Sequence, residues 1–119
     1  MNPQDYHHRS MFISGRAVDC LEQLAGEAGL VRYNGNSIPH IDLAPRRVEE
    51  TRCYVHTAHP IYQGNMSLAA VHIFQREERT AGGYLDLWLY RLTSPEIRTA
   101  FERLFSRLVE MEEKHRRYR

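Results

Sequence analysis

The segment 84–90 carries three aromatic rings around one carboxylate, a set of side chains suited to binding a partner. Leucines alternate with these side chains, and a β-strand sends successive side chains to opposite faces. One face of such a strand holds only leucines, which suits a hydrophobic core. The opposite face holds Tyr84, Asp86, Trp88 and Tyr90. Since exposed apolar patches mark contact sites, we expect another element, a second copy or a different protein to cover these rings.

A histidine beside this carboxylate could support acid–base chemistry. A sheet that places His72 near Asp86 and Tyr84 would bring an imidazole, a carboxylate and a phenol together. The chain contains no G-x-S-x-G, P-loop, G-x-G-x-x-G, H-E-x-x-H or C-x-x-C motif. We therefore predict no catalytic residue, and the sequence favours a protein that is not an enzyme. A small enzyme that uses His72 and Asp86 is an alternative.

The histidines of the segment 56–59 have the spacing of a metal-binding pair, and Cys53 precedes His56 by three residues. Zinc needs three or four ligands that converge within about 2.0–2.3 Å of the ion. In an extended strand, residues three apart point to opposite faces, so His56 converges with neither Cys53 nor His59. We therefore predict no metal site and no cofactor.

Arginine supplies all but one of the 16 basic residues, and the formal net charge is +1. Arginine binds phosphates through its planar fork, and single-stranded nucleic acid stacks its bases on aromatic sheet faces. Arg52 and Arg91 could lie near phosphates on such a face. The carboxylate of Asp86 and the weak net charge oppose a polyanion. Nucleic-acid binding on this face is thus an alternative to protein binding.

A helix is predicted near each end of the chain. Ser14 can cap a helix at 15–28, which the following glycine is suited to end. Ser94 as the cap and Pro95 at the first helical position begin a second helix. Apolar residues within 97–111 form one wide stripe on this second helix, which predicts a buried face.

Strands are predicted between these helices. A short hairpin precedes them, with arms at 31–33 and 38–43 around an Asn-Gly turn, and three longer strands follow at 51–58, 67–76 and 83–91. Short connections at Gly64-Asn65 and at 77–83 favour an antiparallel meander.

The predicted fold is therefore α+β. It has a flexible tail at 1–10 and a single domain at 11–119. The domain runs helix, short hairpin, three-stranded antiparallel meander and long C-terminal helix, with both helices packed on one sheet face.

The face that each strand presents depends on register. If the β-branched Val55, Val71 and Ile73 line the core, the other face gains Tyr54, His56, His72 and Phe74. A two-residue turn at 64–65 would instead place Val55 on the same face as His72. The first arrangement therefore needs a loop with an odd number of residues or a bulge, and Pro60 favours a bulge.

Composition restricts the class of protein. The 119 residues, 42% hydrophobic and 26% charged, are typical of one globular domain. The chain has neither a signal segment nor an apolar run long enough for a membrane helix, so we expect no membrane partner and a cytoplasmic location. Two cysteines, Cys20 and Cys53, are too few for a disulfide framework and are expected as free thiols in the core, although one buried disulfide is an alternative.

The sequence thus predicts a small non-enzymatic binding domain, an adaptor, inhibitor or regulatory protein that is also a homodimer. Its expected partner is another protein, itself or both, with Trp88 as the anchor because tryptophan contributes strongly to interface energy. The predicted binding residues are Tyr54, His56, His72, Phe74, Tyr84, Asp86, Trp88 and Tyr90.

Overall fold

The structure is a computed structural model that describes residues 3–33, 50–57, 66–76 and 79–117. It contains a five-stranded antiparallel sheet and a long C-terminal helix, which confirms the predicted α+β class. The elements are a 3-10 turn at Pro3–Asp5, then β1 (Tyr6–Ser14), α1 (Gly15–Asp19), α2 (Leu21–Glu27), β2 (Leu30–Arg32), β3 (Glu50–His56), β4 (Leu68–Arg76), β5 (Arg79–Tyr90) and α3 (Pro95–Arg117).

The strands lie in the order β1-β5-β4-β3-β2, and each pair of neighbours is antiparallel. The meander β3-β4-β5 follows chain order, as predicted. The first arm of the predicted hairpin corresponds to β2. Its turn and second arm, like the turn at Gly64-Asn65, lie outside the described residues.

The strand β1 corrects the prediction of a flexible tail at 1–10. Residues 6–14 pair with β5 in an unbroken register that runs from Tyr6 opposite Tyr90 to Ser14 opposite Gly82. Histidine, arginine and serine dominate the first half of this strand, so its local sequence carries little strand propensity. Pairing with β5 determines its conformation.

The helices show one break that the sequence does not signal. The predicted helix at 15–28 divides at Cys20 into α1 and α2, whose junction has φ −94° and ψ 0°. The predicted caps are confirmed: the Ser14 hydroxyl accepts a hydrogen bond from the Ala17 amide at 3.3 Å, and the Ser94 hydroxyl accepts one from the Ile97 amide at 3.5 Å. Gly29, with φ +87°, follows α2 in a conformation that favours glycine.

The main hydrophobic core lies between the helices and one side of the sheet, here called the helix face. The leucines of β5 are buried there as predicted, against the apolar stripe of α3 and the buried side of α1 and α2. The apolar side chains of the helix face are Met11, Ile13, Tyr54, Ala69, Val71, Ile73, Leu85, Leu87 and Leu89.

The opposite side of the sheet is here called the outer face. Its described positions alternate with those of the helix face along each strand. They are Tyr6, His8, Ser10 and Phe12 in β1, Val31 in β2, Thr51, Cys53 and Val55 in β3, Leu68, Ala70, His72 and Phe74 in β4, and Tyr84, Asp86, Trp88 and Tyr90 in β5.

The predicted faces of β3 were wrong. Tyr54 is fully buried in the helix-face core, where its hydroxyl donates a hydrogen bond to a carboxylate oxygen of Glu22 at 2.7 Å. Cys53 lies opposite Ala70, so Cys53 and Val55 occupy the outer face. Val55 therefore shares a face with His72, which is the second of the two arrangements predicted above. A bulge does occur in β4, between Phe74 and Gln75, too late to exchange these faces.

Cys20 and Cys53 are both free thiols, as predicted. Cys20 contacts the helix-face core, whereas Cys53 is buried on the outer face. Burial raises the pKa of the Cys53 thiol, which keeps it protonated and unreactive. Among the described helices, none is long and apolar enough to cross a membrane.

Candidate functional site

The outer face carries two aromatic pairs across β1 and β5. His8 lies directly opposite Trp88, and their rings stack with centroids 3.9 Å apart and planes 15° apart. Phe12 lies directly opposite Tyr84, and these rings meet edge to face at 5.6 Å. Such cross-strand pairs are the units that stabilise a sheet. The register of β1 thus creates two short rows of rings.

Exposure differs strongly among these rings. Phe12 is 52% exposed, although it is a large apolar side chain in a strand. Trp88 and Tyr84 are half-buried, and Tyr90 is buried. The ring centroid of Tyr6 lies 6.2 Å from that of Trp88 and 5.4 Å from that of Tyr90. The open part of the aromatic surface therefore lies towards Phe12 and Tyr84.

Trp88 also belongs to the packing of the chain itself. It contacts a small buried cluster on the outer face, against which Tyr33 also packs. The indole N–H of Trp88 is buried and donates no hydrogen bond. Trp88 therefore links the exposed rings to a structural cluster formed by Cys53, Val55, Met66, Leu68 and Ala70.

A polar chain crosses the same face through four strands. His8 Nε2 lies 2.7 Å from Asp86 Oδ1, and His72 Nε2 lies 3.2 Å from Asp86 Oδ2. The first contact is a hydrogen bond, whereas the second has ion-pair distance without hydrogen-bond geometry. His72 Nδ1 is 3.2 Å from the hydroxyl of Thr51. Asp86 is thus held between two imidazoles from neighbouring strands.

The charge state of Asp86 follows from these neighbours. Partial burial would by itself raise the pKa of its carboxyl group, but interactions with His72 and His8 outweigh that effect. The pKa of Asp86 is consequently lower than its ordinary value. An ionised Asp86 therefore stabilises the folded chain at neutral pH.

The structure brings together the residues predicted for acid–base chemistry. His72 lies directly opposite Tyr84 and close to Asp86. However, His72 is only 7% exposed, and its two ring nitrogens face Asp86 and Thr51. Both oxygens of Asp86 face histidines. This arrangement supports a structural polar chain better than a group that transfers protons to a substrate.

Two of the other predicted binding residues lie on the opposite face. Tyr54 and His56 share the helix side of β3, so neither lies beside Trp88. Phe74 follows His72 by two positions in β4, so its position belongs to the outer face, where it pairs with Gly82 near the far end of the strand. Of the predicted set, the structure therefore places six positions on one face: His72, Phe74, Tyr84, Asp86, Trp88 and Tyr90.

The two arginines proposed for phosphate binding are not placed for it. Arg52 lies opposite Val71, on the side of the helix face, and donates to Glu50 at 2.8 Å. Arg91 Nε lies 3.3 Å from a carboxylate oxygen of Asp5. Among the outer-face positions whose side chains are described, none is arginine or lysine.

The sequence interpretation missed three residues of this surface, Tyr6, His8 and Phe12. These residues are separated by even numbers of positions, the spacing that places side chains on one face of a strand, so the sequence does contain a strand pattern here. Polar residues between them obscured it. Over the described ranges, no group of three or more potential metal ligands is assembled.

Comparison of the chain with protein-family models, with curated proteins and with solved structures finds no match.

Proposed function

We propose that this protein is a non-enzymatic binding domain whose outer face docks another protein. The observation that carries the proposal is the exposure of Phe12, at 52%, beside the half-buried ring of Tyr84. A sheet face that only met water would carry polar side chains at such positions. Aromatic rings on a rigid sheet supply contact area with little loss of side-chain freedom.

A protein partner fits this face better than a nucleic acid does. Bases could stack on the same rings, but the face presents the Asp86 carboxylate and no described cationic side chain of Arg or Lys. Nucleic-acid affinity depends on cations that neutralise phosphates. A partner that offers apolar groups to Phe12 and to the ring of Tyr84 matches the surface.

The proposal extends to the role of the chain. A small domain with an aromatic face, whose described residues assemble no catalytic group, suits an adaptor, an inhibitor or a regulatory subunit in the cytoplasm. Self-association as a homodimer is part of the same proposal, because a second copy also offers aromatic surface.

Phe12→Ser tests this proposal, with Leu92→Ser as its matched control. Leu92 is 55% exposed, as open as Phe12, but it lies in the turn after β5 and outside the outer face. We expect the unaltered chain and Leu92→Ser to capture the same protein from the native lysate. This protein should dissociate at least tenfold more readily from Phe12→Ser. Calorimetry with the purified partner checks that binding is direct.

Equal capture by all three proteins would overturn the proposal, as would the absence of any captured protein. The fold of Phe12→Ser is checked by circular dichroism, since a misfolded variant would lose the partner for an unrelated reason.

A further inference from the structure

The strand β1 forms one edge of the sheet, and of the described strands only β5 pairs with it. An edge strand exposes a row of unpaired backbone N–H and C=O groups, and natural proteins usually protect such edges with lysine, proline or a bulge. β1 contains neither lysine nor proline, and its nine pairs with β5 include no bulge. Residues 7–10 are all exposed, and of the described side chains Glu112 of α3 meets only the end of this strand, where it accepts a hydrogen bond from the backbone N–H of Ser14 at 2.9 Å.

We propose that the edge of β1 pairs with β1 of a second copy, in an antiparallel arrangement centred on Ser10. This inference rests on the homodimer of the proposed function and names its contact. The two sheets would become one sheet of ten strands, with the two-fold axis perpendicular to it. The outer faces of both copies would then lie on the same side.

Symmetry restricts the possible registers. An axis perpendicular to the sheet places each residue opposite one from the same face, so one residue must lie opposite itself. Ser10 is the midpoint of the strand Tyr6–Ser14, and centring on it gives the longest overlap of the two strands. Centring on Arg9 would oppose two guanidinium groups, which destabilises a cross-strand pair.

The Ser10 register also continues the pattern of the outer face. Across the axis, His8 would lie opposite Phe12 of the second copy. Each short row of rings would then extend into a row of four: Trp88 and His8 from one copy, followed by Phe12 and Tyr84 from the other. The exposed ring of Phe12 would thereby gain an aromatic neighbour on its open side.

The helix face is compatible with the same pairing. Arg9 would lie opposite Met11 of the second copy, so no two cations are opposed. The guanidinium of Arg9 already lies 5.2 Å from the centroid of the Phe105 ring in α3, so its charge has a partner within its own chain. Met11, half-buried in the single chain, would be covered by the aliphatic part of Arg9.

A symmetric disulfide tests the register. Directly opposed residues in an antiparallel pair have Cα atoms about 4.5–5.5 Å apart, within the reach of a disulfide. Ser10 is exposed and its side chain is small, so Ser10→Cys should fold normally. Under mild oxidation we expect Ser10→Cys to form a covalent dimer, and Ser106→Cys, exposed on α3, to remain a monomer on a non-reducing gel.

Ser10→Lys tests the association itself. Two lysines would meet at the axis, and we expect sedimentation to show loss of the dimer that the unaltered chain and Ser10→Thr both form. The inference is overturned if the unaltered chain is a monomer, if Ser10→Lys remains a dimer, or if Ser10→Cys cross-links no faster than Ser106→Cys.

The Ser10 variants keep the rings of Phe12 and Tyr84, so the same lysate capture separates the two proposals. A dimeric Ser10→Lys protein, together with loss of the captured partner in Phe12→Ser, would reject the edge pairing and leave the binding face intact. A monomeric Ser10→Lys protein, together with equal capture by Phe12→Ser and Leu92→Ser, would reject the hetero-partner and leave the edge pairing.

Discussion

Asp86 connects three strands through one side chain. It lies in β5 and faces His8 of β1 on one side and His72 of β4 on the other. A buried or half-buried carboxylate is costly unless charges or hydrogen bonds compensate for the lost water. The two histidines provide that compensation, which is why the pKa of Asp86 is lowered despite its burial.

Replacement of this carboxylate should therefore destabilise the fold in a manner that depends on pH. Asp86→Asn keeps the shape but loses the charge, and we expect a loss of about 1–3 kcal/mol of unfolding free energy at neutral pH. A carboxyl group whose folded-state pKa is lowered stabilises fully above its ordinary pKa of about 4, and loses this effect as the pH falls through the folded-state value. The difference between the two proteins should consequently shrink at about pH 3.

Urea unfolding at several pH values measures this effect. Glu113→Gln, at an exposed site on α3, is the matched control and should differ from the unaltered chain by a small amount at every pH. A difference between Asp86→Asn and the unaltered chain that stays constant down to about pH 3 would contradict the ionised role of Asp86.

Among the elements, β5 is an interior strand: β1 and β4 pair with its two edges, and helices cover one of its faces. The connection predicted at 77–83 includes Gly82, but β5 begins at Arg79 and includes this residue. Gly82 has φ +139°, and a Cβ atom built there would lie 2.6 Å from the carbonyl oxygen of Ile13. The glycine thus permits the close approach of β1 where that strand ends.

Gly82→Ala should weaken the junction between β1 and β5. The clash and the unfavourable φ together should cost about 1–3 kcal/mol. Gly26→Ala is the control, because an added Cβ at Gly26 in α2 meets nothing within 4 Å; alanine there should be neutral or stabilise by about 0.5–1 kcal/mol. Thermal unfolding and hydrogen exchange of the β1 amides measure both. Equal stability of the two variants would show that β1 is held independently of this contact.

The elements also differ in how well local sequence specifies them. β5 and α3 were predicted because each has a long, regular period and, for α3, a clear cap at Ser94. The two faces of β3 were not assigned correctly, because both alternating sets of its side chains include apolar residues. Its faces follow instead from the pairing with β4, and from Glu22, which satisfies the hydroxyl group of buried Tyr54.

The same reasoning explains why only part of the candidate surface was predicted. The residues of β5 were evident from their alternation. Their neighbours Tyr6, His8 and Phe12 come from the other end of the chain, and only the pairing of β1 with β5 brings them there. A single strand shows which of its side chains share a face, but the neighbouring strand is determined by contacts distant in sequence.

The molecule as a whole is built on a sheet that is packed on both sides. The helix face holds the larger core, and the outer face holds the smaller cluster that Trp88 contacts. β5 contributes leucines to the first and Trp88 to the second, so neither side can separate without disrupting that strand. We therefore expect one cooperative unit, in which loss of the helices and loss of the Trp88 environment occur together.

Trp88 is the only tryptophan, so its fluorescence reports on the outer face, whereas far-ultraviolet circular dichroism reports mainly on the helices. In urea, the two signals should give the same midpoint and the same dependence on denaturant, because β5 couples both sides. Leu104→Ala in α3 removes a buried side chain from the helix face alone and should lower both midpoints equally, by the equivalent of about 2–5 kcal/mol. A fluorescence midpoint that does not shift in Leu104→Ala would mean that the outer face unfolds separately from the helix-face core.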